Sequence, residues 1–101
     1  MEKLALLVLL EAKPGKEQEV ETFLASALPL VQAEPQTVRW YALKLSASRF
    51  GIFDTFAEQA GRGAHLTGEV AKALMAHAAD LFVKAPQIEQ PEILALKPSS
   101  D

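Results

Sequence analysis

The chain of 101 residues contains no cysteine, which excludes a disulfide framework, a thiolate metal site and a cysteine nucleophile. Its two histidines are too few to make a metal site alone, so neither a metal nor another cofactor is expected. There is no run of Lys or Arg, and the formal charge is −3. The electrostatic footprint of a protein that tracks phosphates is therefore missing, and nucleic acid is not an expected partner. A Gly-rich phosphate loop, a Gly-x-Ser-x-Gly elbow, a His-Glu-x-x-His pair and a dense carboxylate cluster are all absent, which leaves hydrolase, kinase and metalloenzyme readings without support. Lys3 followed by the apolar residues 4–10 only weakly imitates a signal peptide, because the run is short and meets Glu11, Lys13, Pro14 and Gly15 with no small-residue cleavage site. It also falls far below the ~20 residues needed to cross a bilayer. A cytoplasmic protein without a membrane partner is the expectation.

Hydrophobic residues make up 50% of the chain and charged ones 23%. This is too apolar for a disordered chain and rich for a small monomer, so some apolar surface is expected to meet a partner. The length fits one domain over residues 1–97 followed by a disordered tail, 98–101.

Residues 4–12 form a short apolar run that stops at Lys13-Pro14-Gly15 and reads as a strand buried on both faces. From Lys16 the period changes to 3.6, with Val20, Phe23, Leu24, Ala27, Leu28 and Val31 on one side, which predicts an amphipathic helix. Pro29 would remove the bond to the carbonyl of Ala25 and predicts a kink or an end there, and Glu34-Pro35-Gln36 is the exit turn. Residues 37–45 and 49–56, rich in β-branched and aromatic types and separated by Ser46-Ala47-Ser48, predict a hairpin. Thr55-Phe56-Ala57-Glu58 fits a capping box and predicts a helix start. Gly61, Gly63 and Gly68 favour a short helix to about Leu66 and a longer one over 69–83. Residues 88–97, with Ile88, Ile93, Leu94, Ala95 and Leu96, read as a last strand, whose Pro91 suits an edge or a bulge.

The order is β-α-β-β-α-β, the ferredoxin-like α+β arrangement of a four-stranded antiparallel sheet with helices on one face. Its other face should meet water. Yet the first strand is apolar at both parities, and the second puts Val38, Trp40 and Ala42 on one side against Tyr41, Leu43 and Leu45 on the other. A two-fold homodimer packing sheet on sheet would cover such a face.

Several residues could carry chemistry. His65, four residues before Glu69, is either a general base on a pocket rim or a helix-terminal surface histidine. His77 borders the apolar face of the second helix, as a packing residue or a substrate contact. Trp40 and Tyr41 point to opposite faces of one strand, so only one can line a given pocket, and both also suit core or interface packing. Asp54, set among Phe50, Ile52, Phe53 and Phe56, needs a partner if it faces inward, and Arg39 on the adjacent strand is the obvious one.

The segments Trp40-Tyr41-Ala42-Leu43-Lys44-Leu45, Phe50-Gly51-Ile52-Phe53-Asp54-Thr55-Phe56, His65-Leu66-Thr67-Gly68 and Leu94-Ala95-Leu96-Lys97 resemble the antibiotic biosynthesis monooxygenase family, the quinol-monooxygenase-like dimeric α/β barrels. The resemblance implies a homodimer that oxidises a small aromatic quinol or anthrone-like compound with O2 and needs no cofactor. In that reading His65 is the catalytic base or orienting donor. Asp54 and Arg39 tune it, and Trp40 or Tyr41 with Phe53 and Phe56 form aromatic walls. The chain has no asparagine and lacks the helix tryptophan of the family's haem-degrading branch, so haem degradation is disfavoured. A non-catalytic dimer that binds a small apolar metabolite is the alternative from another class.

Overall fold

The computed structural model describes residues 1–98. Its elements run β1 (Leu4–Glu11), α1 (Glu17–Ser26), α2 (Leu28–Gln32), β2 (Thr37–Lys44), β3 (Arg49–Phe56), α3 (Gln59–Leu66), α4 (Glu69–Leu81) and β4 (Gln87–Glu89). The strands form one antiparallel sheet in the order β2-β3-β1-β4, as the ferredoxin-like reading requires. Among the described residues no helix is long and apolar enough to cross a membrane.

Local chemistry explains most boundaries. β1 stops where Pro14 presets one turn dihedral and Gly15 takes φ +85°, closed by the Lys16 N–H donating to the Lys13 carbonyl at 2.9 Å. This is how a Pro-Gly pair builds a type II turn. Pro29 divides the predicted helix as expected, standing in the first turn of α2, where its missing N–H costs nothing. Leu6, Val8, Leu10 and Ala12 point from β1 to the helix layer and are buried, while Leu7 and Leu9 on the opposite face are half-buried. Val20 and Leu24 of α1 and Leu74 and Leu81 of α4 close over Val8, Leu10, Phe50 and Ile52 to form the core.

Three expectations change. The capping box does not form: Thr55 stays in β3, its hydroxyl donates to Glu2 Oε1 at 2.7 Å, and α3 starts only at Gln59 without a side-chain cap. The ladder with β1 runs on to the Leu4–Phe56 pair, so Thr55 remains committed to the sheet. The last strand spans only Gln87–Glu89, because Pro91 has no N–H to give. Pairing resumes around it, where Pro91 accepts from the Ala5 N–H at 3.0 Å and Ile93 donates to the Lys3 carbonyl at 2.8 Å. Val38 leaves the face of Trp40 because a bulge falls between Thr37 and Arg39, and it is half-exposed. Of the predicted tail, 98–101, residues 99–101 lie outside the described residues.

Candidate functional site

α3 turns Gly61, Arg62 and His65 toward the sheet. Arg62 anchors it there, donating from Nη1 to the carbonyls of Ala5 and Pro91, both at 3.2 Å, and from Nη2 to Gln59 Oε1 at 2.8 Å. His65, one turn further on, comes to lie between two carboxylates. Its Nδ1 is 2.5 Å from Glu34 Oε1, and its Nε2 is 2.7 Å from Asp54 Oδ2. The first contact is an aligned hydrogen bond, which makes Nδ1 the donor, since a carboxylate accepts. The second is an ion-pair contact that does not meet hydrogen-bond geometry, and neither Asp54 oxygen has an aligned donor. Phe56, fully buried, tilts against the imidazole with ring centres 5.6 Å apart.

Asp54 is 0% exposed and His65 8%. Burial opposes the charged imidazolium, but the close Asp54 carboxylate, the Glu34 hydrogen bond and the negative charge of both outweigh it and raise the His65 pKa above its ordinary 6.5. The stability this pairing contributes is then fully present below 6.5 and is lost as pH rises through the raised folded-state value. Urea midpoints of the wild type should therefore fall as pH increases from neutrality, while a His65→Gln protein should show a flatter profile. Parallel profiles for the two proteins would contradict this assignment.

His65 stands in the wall of two separate cavities. One, of about 230 Å³, lies between the sheet and the helices and is lined mainly by apolar side chains, among them Leu6, Ile52, Val70, Leu74 and Met75. The other, of about 410 Å³, opens between the 33–37 turn and α3 and α4, with Glu34, Gln36, Thr37 and Glu69 on its walls. Among the described residues no group of three or more His, Cys, Asp or Glu could hold a metal ion.

Sequence reasoning selected His65 and Asp54, and the fold brings them together with Phe56. Trp40 shares their side of the sheet, directly across the ladder from Asp54 and packed on the core, with its indole N–H unpartnered. Arg39, Tyr41 and Phe53 occupy the opposite face, where they border a cleft of about 250 Å³. Tyr41 and Phe53 stack there at 6.4 Å. Arg39 cannot pair with Asp54, because it faces away from it at the level of Thr55, and its Nε instead contacts Glu2 Oε1 at 3.1 Å. His77 is exposed on α4, packs against the Phe23 ring at 5.1 Å, and lines neither His65 cavity. Glu34 and Arg62 were missed. Glu34 lies 31 residues from His65 and carries no local signal beyond its place in a turn.

The chain is 56% identical to the NE2512 protein of unknown function from Nitrosomonas europaea, over all of this chain and 98% of that one, with a TM-score of 0.95. At 15% identity it matches a candidate antibiotic biosynthesis monooxygenase from Nitrosomonas europaea, covering 91% of this chain and 99% of that one, with a TM-score of 0.80. A further protein so named, from Caulobacter crescentus, is 18% identical, with 93% and 92% covered and a TM-score of 0.78. These two likenesses establish the shared fold. No protein-family model matches the chain, and no curated protein does.

Proposed function

We propose a function for a chain that belongs to one family with the NE2512 protein of Nitrosomonas europaea and shares the fold of the antibiotic biosynthesis monooxygenases: cofactor-independent oxidation of a small aromatic quinol or anthrone-like compound by O2. The observation that carries it is His65, a buried imidazole held between two carboxylates on the wall of an apolar cavity.

Ground-state O2 is a triplet and reacts slowly with closed-shell molecules until a substrate anion donates one electron. The smaller cavity holds the aromatic ring and O2. Its volume of about 230 Å³ restricts the substrate to a compact planar molecule, since pockets for larger ligands span ~300–1,000 Å³. Neutral His65 carries its proton on Nδ1, bound to Glu34, so Nε2, which stands 2.7 Å from Asp54 Oδ2 without an aligned hydrogen bond to it, is the basic atom. It takes the substrate's phenolic or enolic proton, and the two carboxylates stabilise the resulting imidazolium. The anion passes one electron to O2, and the organic radical and superoxide join in a C–O bond. The peroxide recovers the proton from Nε2. Loss of the remaining C–H proton then drives O–O cleavage, leaving a carbonyl on that carbon and releasing one water. Both oxygen atoms and all four electrons are accounted for without a cofactor.

The same reading takes the protein as a homodimer. Tyr41, Leu43 and Leu45 are 46%, 37% and 46% exposed on the sheet face away from the helices, beside the half-buried Leu7, Leu9 and Phe53. A second copy would cover that face. Sedimentation at micromolar concentration should give a dimer for the wild type and a monomer for a Tyr41→Lys, Leu43→Lys double variant. A monomeric wild type would remove this part of the proposal.

Oxygen uptake with a panel of hydroquinones, naphthohydroquinones and anthrones tests the enzyme. Uptake at the uncatalysed rate, together with tight retention of an apolar ligand, would favour the non-catalytic binding protein instead.

A further inference from the structure

The two cavities meet at His65, and on the side of the larger one its ring is held by Glu34. Its carboxylate is held in place. Oε1 accepts from the Thr37 hydroxyl at 2.8 Å as well as from His65 Nδ1. Oε2 is buried without a partner. Asp54, on the other side of the ring, is sealed from solvent and lines neither cavity.

Two of the glycines that weaken the 59–81 helical region have a use here. A Cβ on Gly61 would lie 3.0 Å from Gln36 Cβ and 3.1 Å from the Gln36 carbonyl, so the absent side chain lets the 34–36 turn rest against α3. A Cβ on Gly68 would stand 3.1 Å from Glu34 Oε2 and 3.2 Å from the Ala64 carbonyl. At Gly63, between them in sequence, a Cβ would meet nothing within 4 Å. The close approaches thus fall at the glycines that face the Glu34 turn.

We infer that Glu34 is the positioning residue of the site: it holds His65 in the Nδ1–H tautomer and so leaves Nε2 as the basic atom. This rests on the reading of His65 as the base. When His65 has taken a substrate proton on Nε2, the Glu34 carboxylate keeps the Nδ1 proton in its hydrogen bond, so the proton on Nε2 is the one returned to the peroxide. Other charges near the two cavities come from α4, where Glu69 and Lys72 are 73% and 69% exposed and pair with each other at 3.6 Å. On α3 itself, the Arg62 guanidinium is engaged by the Ala5 and Pro91 carbonyls.

The test is an NMR titration of the His65 ring in the full-length protein. Glu34→Gln keeps the shape and an acceptor for Nδ1–H but removes the charge. The His65 pKa should fall by about 1 unit or more. Gly68→Ala, which crowds Oε2, should move it in the same direction by less, and Gly63→Ala should leave it at the wild-type value. In oxygen uptake, Glu34→Gln should lower kcat while KM for the aromatic substrate stays unchanged. A wild-type titration in Glu34→Gln would overturn the inference, as would equal shifts in Gly68→Ala and Gly63→Ala. Because the titration needs no substrate, it stands even if no quinol is oxidised, so the two readings fail separately.

Discussion

A His65→Ala protein should be about 3–5 kcal/mol less stable than the wild type, the usual cost of removing one partner from a buried ion pair. The loss comes mainly from what remains. Asp54 is 0% exposed, and His65 is its only charged contact among the described residues. Without the imidazole its carboxylate is buried with neither a counter-charge nor a donor, while Glu34 keeps only the Thr37 hydroxyl. Adding Asp54→Asn to the His65→Ala background should recover a large part of the loss, because the neutral amide no longer carries an uncompensated charge. Urea unfolding of both variants at one protein concentration measures this. If the double variant is no more stable than His65→Ala, the cost lies in the vacated volume and not in the stranded charge.

Asp54 also marks the limit of what the sequence makes legible. Alternation within a strand correctly separates Trp40 from Tyr41, but whether Asp54 faces inward stays open in the sequence, and it is the structure that buries it with Phe50, Ile52 and Phe56 on the helix side. The apolar run of residues 4–12, the 3.6 period after Lys16 and the Pro-Gly turn carry enough to fix the element order, because each reflects forces acting between near neighbours. Pairing between strands depends on register, and no such local rule states it. Arg39 was therefore assigned to Asp54, although the bulge at Val38 sets it level with Thr55 on the other face. Glu34 fails to stand out for the same reason, since its meaning arises only when α3 docks against the turn after α2. Gly61 and Gly68, read from the sequence as helix breakers, are legible as spacers only once Gln36 and the Glu34 carboxylate lie against them. In the last segment, one proline outweighs the apolar composition that suggested a ten-residue strand.

The largest functional effect should follow His65→Gln, which keeps a hydrogen-bonding side chain but cannot take a proton. Removal of a general base typically costs 10²–10⁴-fold, and oxygen uptake with the best substrate should fall by roughly that factor. Affinity for the substrate should change little, because the apolar cavity walls from Leu6 to Met75 remain. Activity and stability should also respond to pH in opposite directions. The imidazolium stabilises the fold at low pH, whereas only the neutral ring can accept the substrate proton, so the rate should rise through the raised His65 pKa.

The most direct measurement is oxygen uptake by chelator-treated protein across the panel of quinols and anthrones, wild type against His65→Gln, as a function of pH and after subtraction of autoxidation. The expected result is uptake by the wild type that increases with pH through the His65 titration, releases no net peroxide and disappears in the variant. Equal rates for the two proteins at every pH, with a substrate the wild type turns over, would contradict His65 as the base.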